Sequence, residues 1–153
     1  RRRVFVETAI FAKGAAMKAE DYLNENGSGS FVCLCEGKLK STVSLEVMKR
    51  DAKTEISLAS AGESWYEARS VVEVIPDGEK EICFTITPQQ EPKKKRTVKI
   101  PLEGFPERPN KTTKIRVAVG FLDEKTMAVK LTDQGFGELF PKTDAVVRQE
   151  VTL

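Results

Sequence analysis

The sequence of 153 residues contains no histidine and only three cysteines, and it lacks any long apolar run. Without histidine, neither a serine–histidine–aspartate nor a cysteine–histidine hydrolase centre can form, and histidine-bearing zinc sites are excluded. Three cysteines are too few for a four-cysteine zinc site or a disulfide framework, which favours a reducing compartment. Because a membrane-spanning helix needs about 18 or more apolar residues, the sequence predicts no membrane span and no membrane partner.

An excess of charge of one sign is also missing. Lysine and arginine total 25 against 23 aspartate and glutamate residues, and the formal net charge is +2. This balance excludes a globally basic nucleic-acid-binding protein, so no nucleic-acid partner is expected. The carboxylates are scattered among lysines and arginines, and no acidic pair lies inside an apolar run. With no general acid or base to propose, we expect the chain to be non-enzymatic and to bind no metal.

The beginning of the chain differs in composition from the rest. Residues 8–23 hold five alanines and no proline, which predicts a helix with Thr8 as its N-cap. Residues 24–30 are polar and rich in glycine and serine, as in a flexible linker. The chain starts at Arg1, and no secretory signal is found near it. We therefore expect a fragment or a processed product that resides in the cytoplasm.

From residue 31 onward, apolar residues alternate with polar ones, which is the period of a strand with one buried face. The clearest run covers residues 115–121, and the first covers residues 31–35. Proline, glycine and aspartate separate the runs, as turns require. About eight such runs predict an antiparallel β-sandwich over residues 31–153. The fold class is therefore mainly β, with one preceding N-terminal α-helix. The predicted core includes Leu45, Ile86, Ile100, Val117, Val119 and Val129.

Two short motifs have both a functional and a structural interpretation. Residues 93–96 form a basic run that fits a nuclear import signal or a phosphate-binding patch. The net charge near zero favours a solvated hairpin loop instead, which we expect to be exposed, poorly ordered and dispensable for folding. Trp65 and Tyr66 fit either a ligand-stacking platform or a loop anchor, and the anchor is the commoner role.

The three cysteines all lie in alternating runs. Cys33 and Cys35 would point to the same face of a strand, as a redox or metal pair requires. No further ligand lies nearby in the sequence, so small buried thiols are favoured. We therefore expect Cys33, Cys35 and Cys83 to be free thiols.

Five segments, in their order along the chain, resemble parts of DnaK-type heat-shock chaperones. The first resembles the closing helix of the family's ATPase domain, the second its apolar linker run, and the others the strands and hairpins of its substrate-binding sandwich. A Trp-Tyr-Glu-Ala stretch at residues 65–68 is similar to one in divergent bacterial relatives of these chaperones. The segments are residues 12–19, 31–35, 42–45, 98–109 and 114–137.

The resemblance implies a division of the chain into three parts. Residues 1–23 would be a strand and helix remnant that ends a nucleotide-binding domain, residues 24–30 the linker, and residues 31–153 a substrate-binding-type sandwich. ATP and magnesium would belong to the upstream domain, so no cofactor is expected in this chain. Without that domain the helix has lost its cover, and burying each large apolar side chain is worth roughly 1.5–3 kcal/mol. We therefore expect homo-association through the helix.

The resemblance also implies a peptide site between loops at one end of the sandwich, where backbone hydrogen bonds and apolar pockets would hold an extended polypeptide. Arg50, Asp51 and Glu73 fall at matching positions, and their charges would weaken the binding of apolar peptides. An open groove would therefore indicate a peptide-binding module, whereas filled or charged positions would indicate a docking module for a specific protein partner. The implied pocket residues are Met48, Val72, Val74, Ile75, Ile82 and Phe84.

Overall fold

The computed structural model describes residues 8–23, 32, 34–49 and 52–153. The chain divides into two compact units, Arg1–Val32 and Cys33–Leu153. The linker predicted at residues 24–30 lies outside the described residues. No described helix is long and apolar enough to cross a membrane.

In the first unit the described residues form a helix, α1, at Ile10–Leu23. The amide of Lys13 donates to the carbonyl of Ala9 at 3.0 Å, so Ala9 is the N-cap and the prediction of Thr8 is wrong by one residue. Phe11 is among several large apolar side chains that α1 leaves exposed. Homo-association through α1, and its origin in a nucleotide-binding domain, stay predictions.

The second unit is an antiparallel β-sandwich, as predicted. One sheet has the strand order β2-β1-β4-β5 and is called the first sheet, and the other has the order β3-β6-β7-β8 and is called the second sheet. Every pairing within the two sheets is antiparallel. The eight strands are β1 Ser41–Lys49, β2 Ala52–Ala59, β3 Ser70–Val74, β4 Glu81–Pro88, β5 Arg96–Pro101, β6 Lys114–Asp123, β7 Thr126–Gly135 and β8 Val146–Thr152.

The core lies between the sheets and follows directly from the alternation in the sequence. On β6 and β7, Val117 is opposite Leu131 and Val119 is opposite Val129, and all four side chains are buried. Residues directly opposite on one face of an antiparallel pair are close enough to pack together. The predicted core is confirmed at every residue, since Leu45, Ile86 and Ile100 are buried as well.

The first predicted strand, at residues 31–35, is not a strand in its described residues. Val32, Leu34 and Cys35 lie outside any strand, and the rest of the run lies outside the described residues. The amide of Lys38 donates to the carbonyl of Cys35 at 3.2 Å, and Gly37 has a φ of 79°. The chain therefore turns directly after this run, forms an isolated bridge between Lys38 and Ser64, and enters its first regular strand at β1.

The basic run at residues 93–96 ends the connection from β4 to β5, and its last residue, Arg96, begins β5. Its side chains are exposed, as predicted. Its first two residues, Lys93 and Lys94, belong to a short 3-10 helix, Pro92–Lys94, so this part of the run has regular structure. Glu91 pairs with Lys94, and the Nζ of Lys95 lies 2.5 Å from the Oε1 of Glu55 on β2. One acidic partner is three residues before Lys94 and the other is on β2, at the opposite edge of the same sheet.

Candidate functional site

The predicted pocket residues on β4 are part of the core. Phe84 is 0% exposed, and Ile82 is buried as well. Val72 and Val74 on β3 are half-buried and pack against the same core from the second sheet. These four side chains fill the space between the sheets instead of lining an open groove.

The two remaining pocket residues lie on opposite outer faces of the sandwich. Met48 on β1 is 59% exposed, and it is three residues beyond the inward-facing Leu45, so alternation places it on the outer face of the first sheet. Ile75 follows the inward-facing Val74 and is 48% exposed, which places it on the outer face of the second sheet. The six residues therefore do not come together as one pocket. Arg50 and Asp51, whose charges were expected to weaken the binding of apolar peptides at this site, lie outside the described residues.

Each sheet has two edge strands, and three of the four carry features that discourage pairing with another chain. The first sheet ends in β2 and β5, and the second ends in β3 and β8. Charged side chains and proline on an edge strand oppose the addition of a further strand. Residues of this kind are Lys53 and Glu55 on β2, Lys99 and Pro101 on β5, and Arg148 and Glu150 on β8.

The fourth edge, β3, has the least of this protection, with one charged residue and no proline. Three of its five residues are valine, a residue that favours strands, and Val71 is 62% exposed. Its single charged residue, Glu73, is held by Lys114 at 3.5 Å and Arg116 at 3.3 Å on the neighbouring strand β6. The backbone edge of β3 that faces away from β6 is the candidate functional site.

The outward backbone groups of β3 have no partner in the described part of the chain. The ladder with β6 runs from Ser70 opposite Val119 to Val74 opposite Ile115, and no other backbone hydrogen bond involves β3 among the described residues. In an antiparallel ladder about half of an edge strand's amide and carbonyl groups point away from its neighbour. These groups can accept another strand.

The loop that follows β3 is fixed by contacts to the loop that precedes β6. The amide of Lys111 donates to the carbonyl of Pro76 at 3.1 Å, and its Nζ lies 2.8 Å from the Oδ2 of Asp77. Gly78 has a φ of 93°, and a side chain there would press on Asn110. Tight anchoring at this end gives β3 a defined edge.

A buried ion pair, absent from the sequence-based prediction, holds the end of the second sheet. Asp133 on β7 is 1% exposed, and its carboxylate accepts two hydrogen bonds from the guanidinium of Arg108, at 2.9 and 2.8 Å. It also accepts hydrogen bonds from the amides of Gly135 and Thr143, both at 2.9 Å, and from the Thr143 hydroxyl at 2.8 Å. Arg108 donates further to the carbonyl of Pro141 at 2.7 Å.

These contacts make Asp133 a structural group. Burial by itself would raise the pKa of Asp133, but the hydrogen bonds from Arg108, Gly135 and Thr143 outweigh it and hold the pKa far below its ordinary value. A carboxylate with five donors and so low a pKa has no capacity left to act as a general base. The signal that could have revealed it is its phase, because Asp133 continues the inward-facing positions of Val129 and Leu131.

The outer face of the first sheet is a network of neutralised charges around Cys83. The Nζ of Lys53 lies 2.7 Å from the Oε1 of Glu46, and this hydrogen bond lowers the pKa of Glu46. Lys99 pairs with Glu81, which raises the pKa of Lys99. Burial raises the pKa of the Cys83 thiol, and Glu81 adds to this effect. Cys83 is therefore a poor nucleophile.

Cys83 and Cys35 are free thiols, as predicted, and Cys33 lies outside the described residues. Trp65 packs against the core, and its ring meets that of Tyr66 edge to face with centroids 5.7 Å apart, in keeping with the loop-anchor role. No cluster of three metal-binding side chains is found among the described residues.

The fold is that of a β-sandwich domain with four edge strands, among which β3 has the fewest charged residues. Residues 38–153 match the model of the family described as "Domain of unknown function (DUF8552)". This match covers all eight strands and well over half of the chain, so the chain belongs to that family. A search of curated proteins finds no match.

Proposed function

We propose that the sandwich is a protein-docking module that binds an extended segment of a partner polypeptide as an additional strand beside β3. The observation that carries the proposal is the contrast among the four edge strands. β3 has one charged residue and no proline, whereas β2, β5 and β8 have two charged residues each and β5 also has a proline. Strand addition of this kind obtains affinity from main-chain hydrogen bonds and specificity from alternate side chains.

The side chains beside the edge define what the partner segment looks like. On the outer face the added strand lies next to the exposed Val71, and on the inner side it approaches the half-buried Val72 and Val74. Each hydrogen bond contributes only about 0.5–1.5 kcal/mol net, so a five-residue edge needs apolar contacts as well. A partner with β-branched residues at alternate positions meets both requirements.

The burial of Ile82 and Phe84 supports edge docking over a cleft between the sheets. A peptide could enter between the sheets only by displacing core side chains. Removing a large apolar side chain from a core lowers the free energy of unfolding by about 2–5 kcal/mol. The edge of β3 needs no such rearrangement.

The resemblance to DnaK-type chaperones supports a wider proposal. In it, the sandwich is the non-enzymatic, substrate-binding-type part of a cytoplasmic DnaK-like protein whose nucleotide-binding domain lies upstream. Nucleotide hydrolysis and its ATP and magnesium then belong to that domain. Edge docking at β3 does not depend on this assignment.

The test is a binding titration with two matched variants. A fluorescein-labelled library of octapeptides with alternating valine and threonine is titrated by fluorescence anisotropy against the chain. Val71→Lys places a positive charge on the edge strand β3. We expect it to weaken peptide binding by at least about tenfold (1.4 kcal/mol). Met48→Lys is the control, because Met48 has nearly the same exposure, 59% against 62% for Val71, and lies on a central strand of the other sheet.

Three results would contradict the proposal. One is the absence of any binding peptide in the library, and another is an equal loss of affinity in both variants. The third is a loss confined to Met48→Lys, which would place the site on the outer face of the first sheet near Met48.

A further inference from the structure

Two cations face each other on the outer face of the second sheet. Lys130 on β7 and Arg148 on β8 are directly opposite in register, and they point outward because Val129 and Leu131 on either side of Lys130 are buried. Like charges directly opposite on neighbouring strands are destabilising. Within the described residues no ion pair neutralises either of them.

The side chains around these two cations are small. Ala118 on β6 is opposite Lys130, and Ala128 on β7 is opposite both Gly120 and Glu150. A depression of about 540 Å³ lies here, lined by Ala128, Val129, Lys130, Arg148, Gln149 and Glu150. Because the side chains at its base are short, a bound group can approach the sheet there. The long side chains of Lys130 and Arg148 can then contact that group from one side.

Four other cations on the strands of the sandwich have acidic partners. Lys53 and Lys99 on the first sheet pair with glutamates, and Lys114 and Arg116 on the second sheet share Glu73. Lys130 and Arg148 are thus two cations without an acidic partner among the described residues, and Glu150 is the one acidic side chain that lines the depression beside them. An anionic ligand would remove the repulsion between the two cations.

We propose that Lys130, Arg148 and the depression beside Ala128 form a docking site for an acidic segment of a partner polypeptide, separate from the edge of β3. The Arg148 guanidinium suits bidentate recognition of a carboxylate, and Lys130 adds a point charge on the neighbouring strand. Glu150 on the rim favours a peptide over a nucleic acid. A continuous phosphate backbone would be repelled there, whereas a peptide places a neutral or basic residue beside it.

The experiment uses a fluorescein-labelled peptide of alternating glutamate and serine, with a matched glutamine–serine peptide. We expect the chain to bind the glutamate peptide, and Lys130→Gln/Arg148→Gln to weaken that binding by at least about tenfold. Lys53→Gln/Lys99→Gln is the control, because it removes the same formal charge from the first sheet and should leave affinity within about twofold. Arg148→Lys should retain intermediate affinity, since it keeps the charge and loses the fork.

Val71→Lys should leave binding of the glutamate peptide unweakened, which separates this site from the edge of β3. The inference fails if the chain does not distinguish glutamate from glutamine, or if both double variants lose affinity equally. It also fails if a single-stranded oligonucleotide of equal charge binds more tightly and is lost in the same variant, since the surface would then recognise phosphate. Thermal unfolding of the double variant should be unchanged or higher, because removing opposed like charges does not destabilise a sheet.

Discussion

The outward-facing side chains of the two sheets differ in how their charges are paired. On the first sheet, Lys53 and Lys99 are paired with glutamates, and both edge strands carry charges. On the second sheet, β3 presents valines at an open edge, and Lys130 faces Arg148 without an acidic partner among the described residues. Both sheets bury the same kind of inward face. Both binding sites that we propose therefore lie on the second sheet.

The largest effect should come from breaking the buried ion pair of the second sheet. Asp133→Asn keeps the shape of the side chain but leaves the guanidinium of Arg108, 7% exposed, without its counter-charge. Removing one partner of a buried pair costs about 3–5 kcal/mol, measured as the free energy of unfolding in urea at pH 7. Glu46→Gln, which breaks an exposed ion pair on the first sheet, is the control and should have a much smaller effect than Asp133→Asn. Equal losses would show that the two sheets are held alike.

The same pair predicts a dependence of stability on pH. The folded-state pKa of Asp133 is depressed, so its contribution is complete above the unfolded-state pKa of about 3.9 and declines as the pH falls below it. Wild-type stability should therefore fall more steeply than that of Asp133→Asn between about pH 4 and pH 2. Parallel acid titrations of the two proteins would contradict this assignment.

The next effect concerns two glycines that share a backbone conformation but differ in their surroundings. Gly135 and Gly137 have φ values of 66° and 68°. A side chain at Gly135 would collide with the backbone of Phe140 and Lys142, whereas Gly137 has open space around it. Gly137→Ala should cost about 1–2 kcal/mol for the left-handed backbone, and Gly135→Ala at least twice as much, by urea unfolding. Equal costs would mean that the loop moves aside freely.

A smaller effect is expected from the basic loop of the first sheet. Replacing all four residues 93–96 with serine removes the exposed pairs of Lys94 with Glu91 and of Lys95 with Glu55. Such pairs contribute little, so stability should change by less than about 1 kcal/mol. A loss of several kcal/mol in thermal unfolding would show that this loop supports the sheet beneath it.

The smallest effect is kinetic and concerns Cys83 at the centre of the first sheet's outer face. Burial raises the pKa of the Cys83 thiol, whereas Cys35 is exposed. In native protein at pH 8, a variant that retains only Cys83 should react with a disulfide reagent several times more slowly than one that retains only Cys35. Comparable rates would mean that the charge network leaves the thiol accessible.

The implied peptide pocket shows where reasoning from sequence ended. The alternation around Ile82 and Phe84 predicted that they share a face, and they do, but it could not tell a core from a cleft. That distinction depends on what the opposite sheet places against them, here Val72 and Val74 among others. Asp133 was missed for a related reason, since its partner Arg108 is 25 residues away in sequence.

The sequence by itself determined the period, and with it the strands, the inward face and the core, because side-chain alternation is a local property of an extended backbone. It also determined that no histidine chemistry is available. Only the tertiary structure decided that β3 lies at an edge and that Lys130 faces Arg148. Strand order depends on which strands pair, and the alternation within one strand, which decides the face that each side chain takes, does not say which other strand lies beside it.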